Sequence, residues 1–290
     1  MEWNVNPTLI EIGPLTIRYY SLLFMIAFLC GYYLMLRIFT GEGKSRDDLE
    51  DLFIYVFFGT VIGARLGHVL FYSPLEYLKD PLEILKVWHG GLASHGAAIG
   101  IPIALYLYVR KRSNQTLLWI FDRVAIVVAL AGFFIRLGNF FNHEIVGRET
   151  DLPWGVKFLY HGTFPNPNPA AVPRHPSQLY ESLAYLLIFG LLLWLYNRYK
   201  ARTPQGLLIG LFFTLIFGFR FFVEFLKENQ ESWESSLPLL NMGQILSIPL
   251  VIIGLVLIFQ SGKRGPMIVA EPATSVAKEG GGKKKKKARA

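Results

Sequence analysis

The chain has 290 residues, of which 52% are hydrophobic, 15% aromatic and only 17% charged. That balance, with a positive mean hydropathy, excludes an ordinary soluble domain and points to a polytopic membrane protein. The formal charge of +8 is concentrated at one end: Ser261–Ala290 carries nine Lys/Arg against two Asp/Glu. The high pI is thus a property of a tail, read as a solvated cytoplasmic end attracted to anionic lipid, and no nucleic-acid partner is implied.

Seven runs are long and apolar enough to cross about 30 Å of hydrocarbon as helices. They are 15–39, 49–72, 90–109, 116–137, 177–196, 207–226 and 241–260. The expected fold is therefore an all-α integral membrane protein with seven transmembrane helices. Residues 1–260 form the membrane domain, and 261–290 a basic, disordered cytoplasmic tail. The glutamates Glu2 and Glu11, with no early basic cluster, do not suggest a cleaved signal peptide. Cys30, the single cysteine, falls inside the first run and reads as packing. Arg37, Lys44 and Arg46 follow the first span; Arg110, Lys111 and Arg112 the third; Arg198, Lys200 and Arg202 the fifth. The other connections carry both signs, including Lys227, Glu228, Glu231 and Glu234 after the sixth span. The positive-inside rule then places the N-terminus outside and the C-terminus in the cytoplasm.

Gly59, Gly63 and Gly67 in the second span, and Gly96 and Gly100 in the third, repeat at four-residue spacing. Such spacing lets helix backbones approach closely. The 138–176 connection contains six prolines and a potential strand at 154–158, and is read as a small extracytoplasmic head.

With that topology every span carries its main polar groups at the outer end. They are Tyr19 and Tyr20, Arg65, Ser94 and His95, Arg136, Gln178 and Glu181, Arg220 and Glu224, and Asn241 and Gln244. Asp122 and Arg123, at the opposite end of the fourth span, read as an interfacial pair. Ionisable groups at membrane depth are costly and usually functional. Three arginines, Arg65, Arg136 and Arg220, meeting at one depth imply an anion, and guanidinium matches phosphate with a planar fork of donors. Glu144, Glu181 and Glu224 can orient those arginines and relay a proton. The six histidines show neither an i,i+4 pair nor a His-Glu-x-x-His pattern, so no metal site is expected. No nucleophile elbow or P-loop is present, and no organic cofactor is implied.

The stretch Arg136-Leu137-Gly138-Asn139-Phe140-x-Asn142-x-Glu144-x-x-Gly147-Arg148 resembles the signature of the bacterial prolipoprotein diacylglyceryl transferases. Ser94-His95-Gly96, His175-Pro176-Ser177-Gln178-Leu179-Tyr180-Glu181, Phe219-Arg220-x-x-Val223-Glu224-Phe225 and Met242-Gly243-Gln244 agree, and the resemblance runs over about residues 5–260. It implies an inner-membrane enzyme that moves the diacylglyceryl group of phosphatidylglycerol to the lipobox cysteine of a preprolipoprotein, releasing glycerol 1-phosphate. The expected catalytic residues are His95, Arg136, Arg220 and Glu144, with Arg136 and Arg220 on the headgroup phosphate. His95, or a glutamate acting through it, would take the thiol proton. Tyr20, Arg65, Asn139, Asn142, Gly147, Glu181, Glu224 and Gln244 are the expected substrate-binding residues. The chain departs from the family at His143, where glycine is frequent, and at Ile216, where tyrosine is frequent. Tyr180 or Tyr185 could supply the missing hydroxyl. The alternative is a transporter or flippase of an anionic lipid or solute using the same arginines. Against it, no internal repeat is visible and the polar groups crowd one end of the spans rather than the midplane.

Overall fold

The computed structural model describes residues 1–13, 15–72, 74–87, 90–112, 114–228 and 240–266. The basic tail beyond residue 266, and Glu231 and Glu234, lie outside the described residues. Among the described residues eight α-helices carry the fold: α1 (Tyr19–Gly41), α2 (Arg46–Phe71), the short α3 (Pro74–Lys79), α4 (Ser94–Val109), α5 (Leu117–Phe141), α6 (Ser177–Tyr199), α7 (Leu207–Val223) and α8 (Met242–Arg264). Six of them, α1, α2, α5, α6, α7 and α8, are long and apolar enough to cross a bilayer; α4, at 16 residues, is shorter.

Several starts are written in the local sequence. Ser45 accepts a hydrogen bond from the Asp48 amide to cap α2, and Thr116 does the same for Trp119 on α5. Asn241 and Gln244 form a reciprocal capping box on α8. The start of α1 differs from expectation. Residues 15–18 are not helical; they form strand β3 (Leu15–Arg18), which pairs antiparallel with β2 (Thr8–Ile12). Thr16 and Ile17 are β-branched and follow a turn at Gly13 with φ +58. The hydropathy of the run simply absorbed the hairpin.

The chain runs back and forth between two ends, named here by Arg136 and Arg123. Interleaved glycines bring α2 and α4 together. A Cβ on Gly63 would lie 2.6 Å from the Gly96 carbonyl oxygen, and one on Gly67 2.6 Å from the Gly96 Cα. The buried core, including Phe39, Leu105, Tyr108, Trp119, Ile126, Leu192 and Leu208, lies between the helices. Large apolar side chains such as Tyr33, Leu187, Trp194 and Phe259 face outward, more than half exposed. That is the distribution of a lipid-facing belt.

At the Arg123 end, Asp122 and Arg123 are fully buried. They remain an ion pair at 4.0 Å, buried rather than exposed at an interface, and each also serves another helix. Arg123 forks onto Glu42 at 2.9 and 3.0 Å, joining α5 to the end of α1. Asp122 accepts from the amides of Gly206 and Ile209 at the start of α7.

At the Arg136 end a small sheet joins β4 (Val156–Phe158) in parallel to β1 (Glu2–Trp3) and antiparallel to β5 (Pro173–Arg174). Phe140, Val146, Val156 and Phe158 form its core, with Trp3 and Leu179 against it.

Candidate active site

The end of α5 and the loop after it are gripped by the start of α6. Gln178 donates to the Glu144 carbonyl at 2.7 Å, and Ser177 to the Ile145 carbonyl at 3.0 Å. This hold matters because His143 and Ile145 sit at φ +54 and +57, a region that costs a side-chain-bearing residue roughly 1–3 kcal/mol. Glycine suits position 143 on conformational grounds, and the imidazole compensates. Its Nδ1 accepts from the Tyr160 amide at 3.3 Å, which leaves Nε2 protonated to donate to the Val5 carbonyl at 2.9 Å. The ring is buried and lies edge-on to Phe158 and Tyr160. Burial holds its pKa below the ordinary histidine range, against the opposing pull of the Val5 bond.

The loop so shaped carries Glu144 to the tip of α5. Glu144 Oε1 accepts from Asn139 at 2.8 Å and Asn142 at 3.2 Å, and Asn139 in turn accepts from Arg136 at 3.3 Å. Arg136 then pairs with Glu181 of α6 at 3.2 Å. Glu181 also meets Lys227 at 3.0 Å and accepts from the Tyr185 hydroxyl at 3.2 Å. Lys227 continues to Glu224 at 3.2 Å, and Glu224 to Arg220 at 3.4 Å. A continuous chain of charge, Arg136–Glu181–Lys227–Glu224–Arg220, thus ties α5 to α6 and α7. Glu181 and Lys227 are almost completely buried, whereas the Arg220 side chain is 34% exposed. Gly243 of α8 leaves room for the Glu224 carboxylate, which would lie 2.5 Å from a Cβ there. Tyr20 packs on the same corner. A Cβ on Gly138 would meet its ring at 2.7 Å, and the charges of Glu144 and Arg136 both act on its hydroxyl. An apolar groove of about 430 Å³ runs between α6 and α7, lined by Tyr180, Leu183, Leu187, Phe219, Phe222 and Leu226.

This constellation can hold an anion against exposed guanidinium while keeping carboxylate oxygen within reach. The family described as prolipoprotein diacylglyceryl transferase matches residues 7–260. The chain belongs to that family. A phosphatidylglycerol–prolipoprotein diacylglyceryl transferase of Chloroherpeton thalassium is 48% identical over 265 residues, covering 91% of this chain and 96% of the relative. Its counterpart in Tolumonas auensis is 48% identical over 261 residues, 90% and 97% of the two chains. The protein of that name from Porphyromonas gingivalis is 44% identical over 272 residues, 91% and 95%.

Within this member of the prolipoprotein diacylglyceryl transferase family, the structure brings together Tyr20, Arg136, Asn139, Asn142, Glu144, Glu181, Arg220 and Glu224. Four expected residues stand otherwise. Arg65 does not join the other arginines. Its guanidinium makes five bonds to backbone carbonyls, of Glu83, Ile84, Lys86, Gly90 and Gly91, which uses its donors fully. The implied trio of arginines is therefore two arginines and a lysine, and three carboxylates balance them. His95 packs its ring against Phe71 and Tyr72, and no hydrogen bond among the described residues links it to Arg136. Gln244 uses its amide on the α8 cap and on the Phe221 carbonyl at 3.3 Å. Gly147 is a close-approach position, where a Cβ would lie 2.6 Å from the His175 carbonyl oxygen and 2.8 Å from that of Leu226.

Lys227 is the participant that sequence reading missed. Burial pushes its ammonium below the ordinary lysine range, against the pull of Glu181 and Glu224. The available signal was its place three residues after Glu224, on the same side of the chain. A connection of mixed charge concealed it.

Proposed function

We propose that this chain transfers the diacylglyceryl group of phosphatidylglycerol to the lipobox cysteine of a prolipoprotein signal peptide, forming a thioether and releasing glycerol 1-phosphate. The observation that carries the reading is the charge chain from Arg136 to Arg220, in which Arg136, Glu181, Glu224 and Arg220 lie in the family-like motifs and Lys227 joins them. In the reaction the thiol sulfur forms a bond to the terminal glyceryl carbon of the lipid. The bond from that carbon to the phosphate oxygen breaks, and the electron pair leaves with glycerol phosphate. The phosphate thereby gains a second negative charge, or a proton in its place. Arg136 and Arg220 hold it, because preorganised guanidinium at low dielectric favours the more charged state. Asn139 hydrogen-bonds the departing glycerol.

The proton acceptor is Glu144. One of its oxygens is fixed by two amides, and Oε2 has no hydrogen-bond partner among the described residues. His95, with its aromatic packing, supports the outer end of α4 instead. Tyr185, already on Glu181, supplies the hydroxyl that Ile216 lacks. The apolar groove between α6 and α7 takes an acyl chain of the lipid.

The finer topology follows the same reading. The α4 helix is the seventh span. Its start is bonded to α2 through the Ala93 amide and the Ala64 carbonyl, and past its other end Arg112 pairs with Asp48 at the start of α2. The charge asymmetry of the connections supports an inner-membrane protein with the N-terminus outside, the C-terminus inside and the small sheet as an extracytoplasmic head.

The test is to incubate purified protein with phosphatidylglycerol and a lipobox peptide. The expected result is a diacylglyceryl mass increment on the peptide with stoichiometric glycerol phosphate. Lipid or solute movement across a vesicle membrane without that increment would overturn the enzyme reading in favour of a transporter.

A further inference from the structure

The five carbonyls bound by Arg65 belong to the connection between α2 and α4, and that connection has an unusual surface. Leu75 and Leu78 lie on α3, and Leu82 and Leu85 on the following 3-10 turn, Pro81–Leu85. They recur at intervals of three, four and three residues, and each is 69–74% exposed. A segment in water would not present four leucines this way, because contiguous apolar patches on soluble surfaces are small and usually functional.

The patch also follows directly on the outward apolar face of a helix long and apolar enough to cross a bilayer. The last turns of α2 show Leu66, Leu70 and Phe71 to the outside, and the leucines of α3 follow directly. Among the segment's polar groups Lys86 pairs with Glu83 at 2.6 Å and Lys79 and Asp80 are exposed, while Arg65 stacks over Tyr77 at 5.0 Å and holds the backbone. A buried arginine at the end of α2 therefore fixes the segment beside the point where the helix leaves the hydrocarbon. An apolar face with charges at its margin is the pattern of a segment lying in the membrane interface.

We propose that residues 74–87, clamped by Arg65, form a membrane-interface strap whose Leu75, Leu78, Leu82 and Leu85 face enters the acyl region of the leaflet at the Arg136 end. The occupant of this face is lipid. The strap lies flat at the bilayer surface beside the start of α4 rather than looping into water.

Cys30 is the only cysteine, so Cys30→Ser gives a background for single labels. Leu78→Cys, Leu82→Cys and Lys79→Cys variants carrying an environment-sensitive nitrobenzoxadiazole label are reconstituted in phosphatidylcholine–phosphatidylglycerol vesicles. Lipids with a doxyl group near the carbonyl or deep in the acyl chain serve as quenchers. The probes at 78 and 82 should show blue-shifted emission and lose it to shallow doxyl lipid, and the probe at 79 should lose less. The two leucine sites report independently, and turnover of each variant confirms that it has folded. Water-like emission quenched by aqueous iodide but not by doxyl lipid would overturn the proposal. So would probes that escape doxyl lipid and change only when a lipobox peptide is added, which would make the peptide the occupant.

Discussion

Replacing Lys227 by methionine isolates what the buried charge chain contributes. The ammonium is 2% exposed and stands 3.0 Å from Glu181 and 3.2 Å from Glu224. Removing one partner of a buried pair typically costs about 3–5 kcal/mol, because the remaining charge stays out of water. Here Glu181 keeps Arg136 and Tyr185, and Glu224 keeps Arg220, so the lower end, about 3 kcal/mol, is expected. The second effect is on chemistry. Without Lys227 the cluster holds two cations against three carboxylates, and the phosphate must enter a site of excess negative charge. At roughly 8 Å and an effective dielectric of about 20, one unbalanced charge amounts to about 2 kcal/mol, or about thirtyfold in kcat/KM. Denaturant unfolding in mixed micelles reads the first effect, and turnover with phosphatidylglycerol and a lipobox peptide the second. Lys227→Arg should stay near the parent. Adding Glu181→Gln to Lys227→Met should recover part of both losses, with a coupling of about 1–3 kcal/mol. If Lys227→Met lost less than about 1 kcal/mol and the double variant were merely additive, the residues would not act as one charge-balanced chain.

Other outcomes follow from the same geometry. Arg136→Ala should lower turnover by roughly two to three orders of magnitude, the usual effect of losing a preorganised donor to developing charge. Glu144→Gln should abolish proton transfer while leaving lipid binding intact, measured as lipid retained on the purified protein. A Glu144→Gln variant with near-parent turnover would remove Glu144 from the role of acceptor. His143 is held neutral, with its pKa depressed, so the unfolded chain takes up the proton first. Its stabilising contribution is full above about pH 6.5 and falls as the pH drops through that value. His143→Gly should flatten that part of the stability–pH curve, since glycine accepts φ +54 but cannot titrate. Arg65→Ala should loosen the connection that its five bonds hold, seen as faster proteolysis there, at about 0.5–1.5 kcal/mol for each hydrogen bond lost.

Much of this arrangement was legible before the structure. The glycine spacing of α2 and α4 indicated close helix packing, since small residues four apart leave one face of a helix open; that the two pack on each other came from the structure. The 136–148 stretch announced itself by placing charge where an apolar helix ends. Arg220 and Glu224, four apart, were bound to share a face. What sequence could not give was destination. Arg65 and Arg136 look alike in one dimension, and only the backbone carbonyls of Glu83, Ile84 and Gly90 around the Arg65 guanidinium tell them apart. Asp122 and Arg123 are adjacent in sequence and do pair, but at 4.0 Å; successive helical side chains diverge by about 100°, so each makes its shorter bonds to another helix, which sequence could not show. The bend from β3 into α1 was hidden because a hairpin rich in leucine and isoleucine has the hydropathy of a span.

The cap that Asp122 places on α7 has a consequence for assembly. The first turn of α7 has no side-chain cap of its own; Gly206 precedes it at φ +90, and two of the amides there, those of Gly206 and Ile209, are bonded by a carboxylate borrowed from α5. A chain made from the N-terminus delivers α5 to the bilayer before α7 has been synthesised. The acceptor for those amides is therefore already waiting when the seventeen-residue helix emerges. The order of the segments along the gene is thus also a workable order of construction, and a variant in which α7 preceded α5 would expose those donors during insertion.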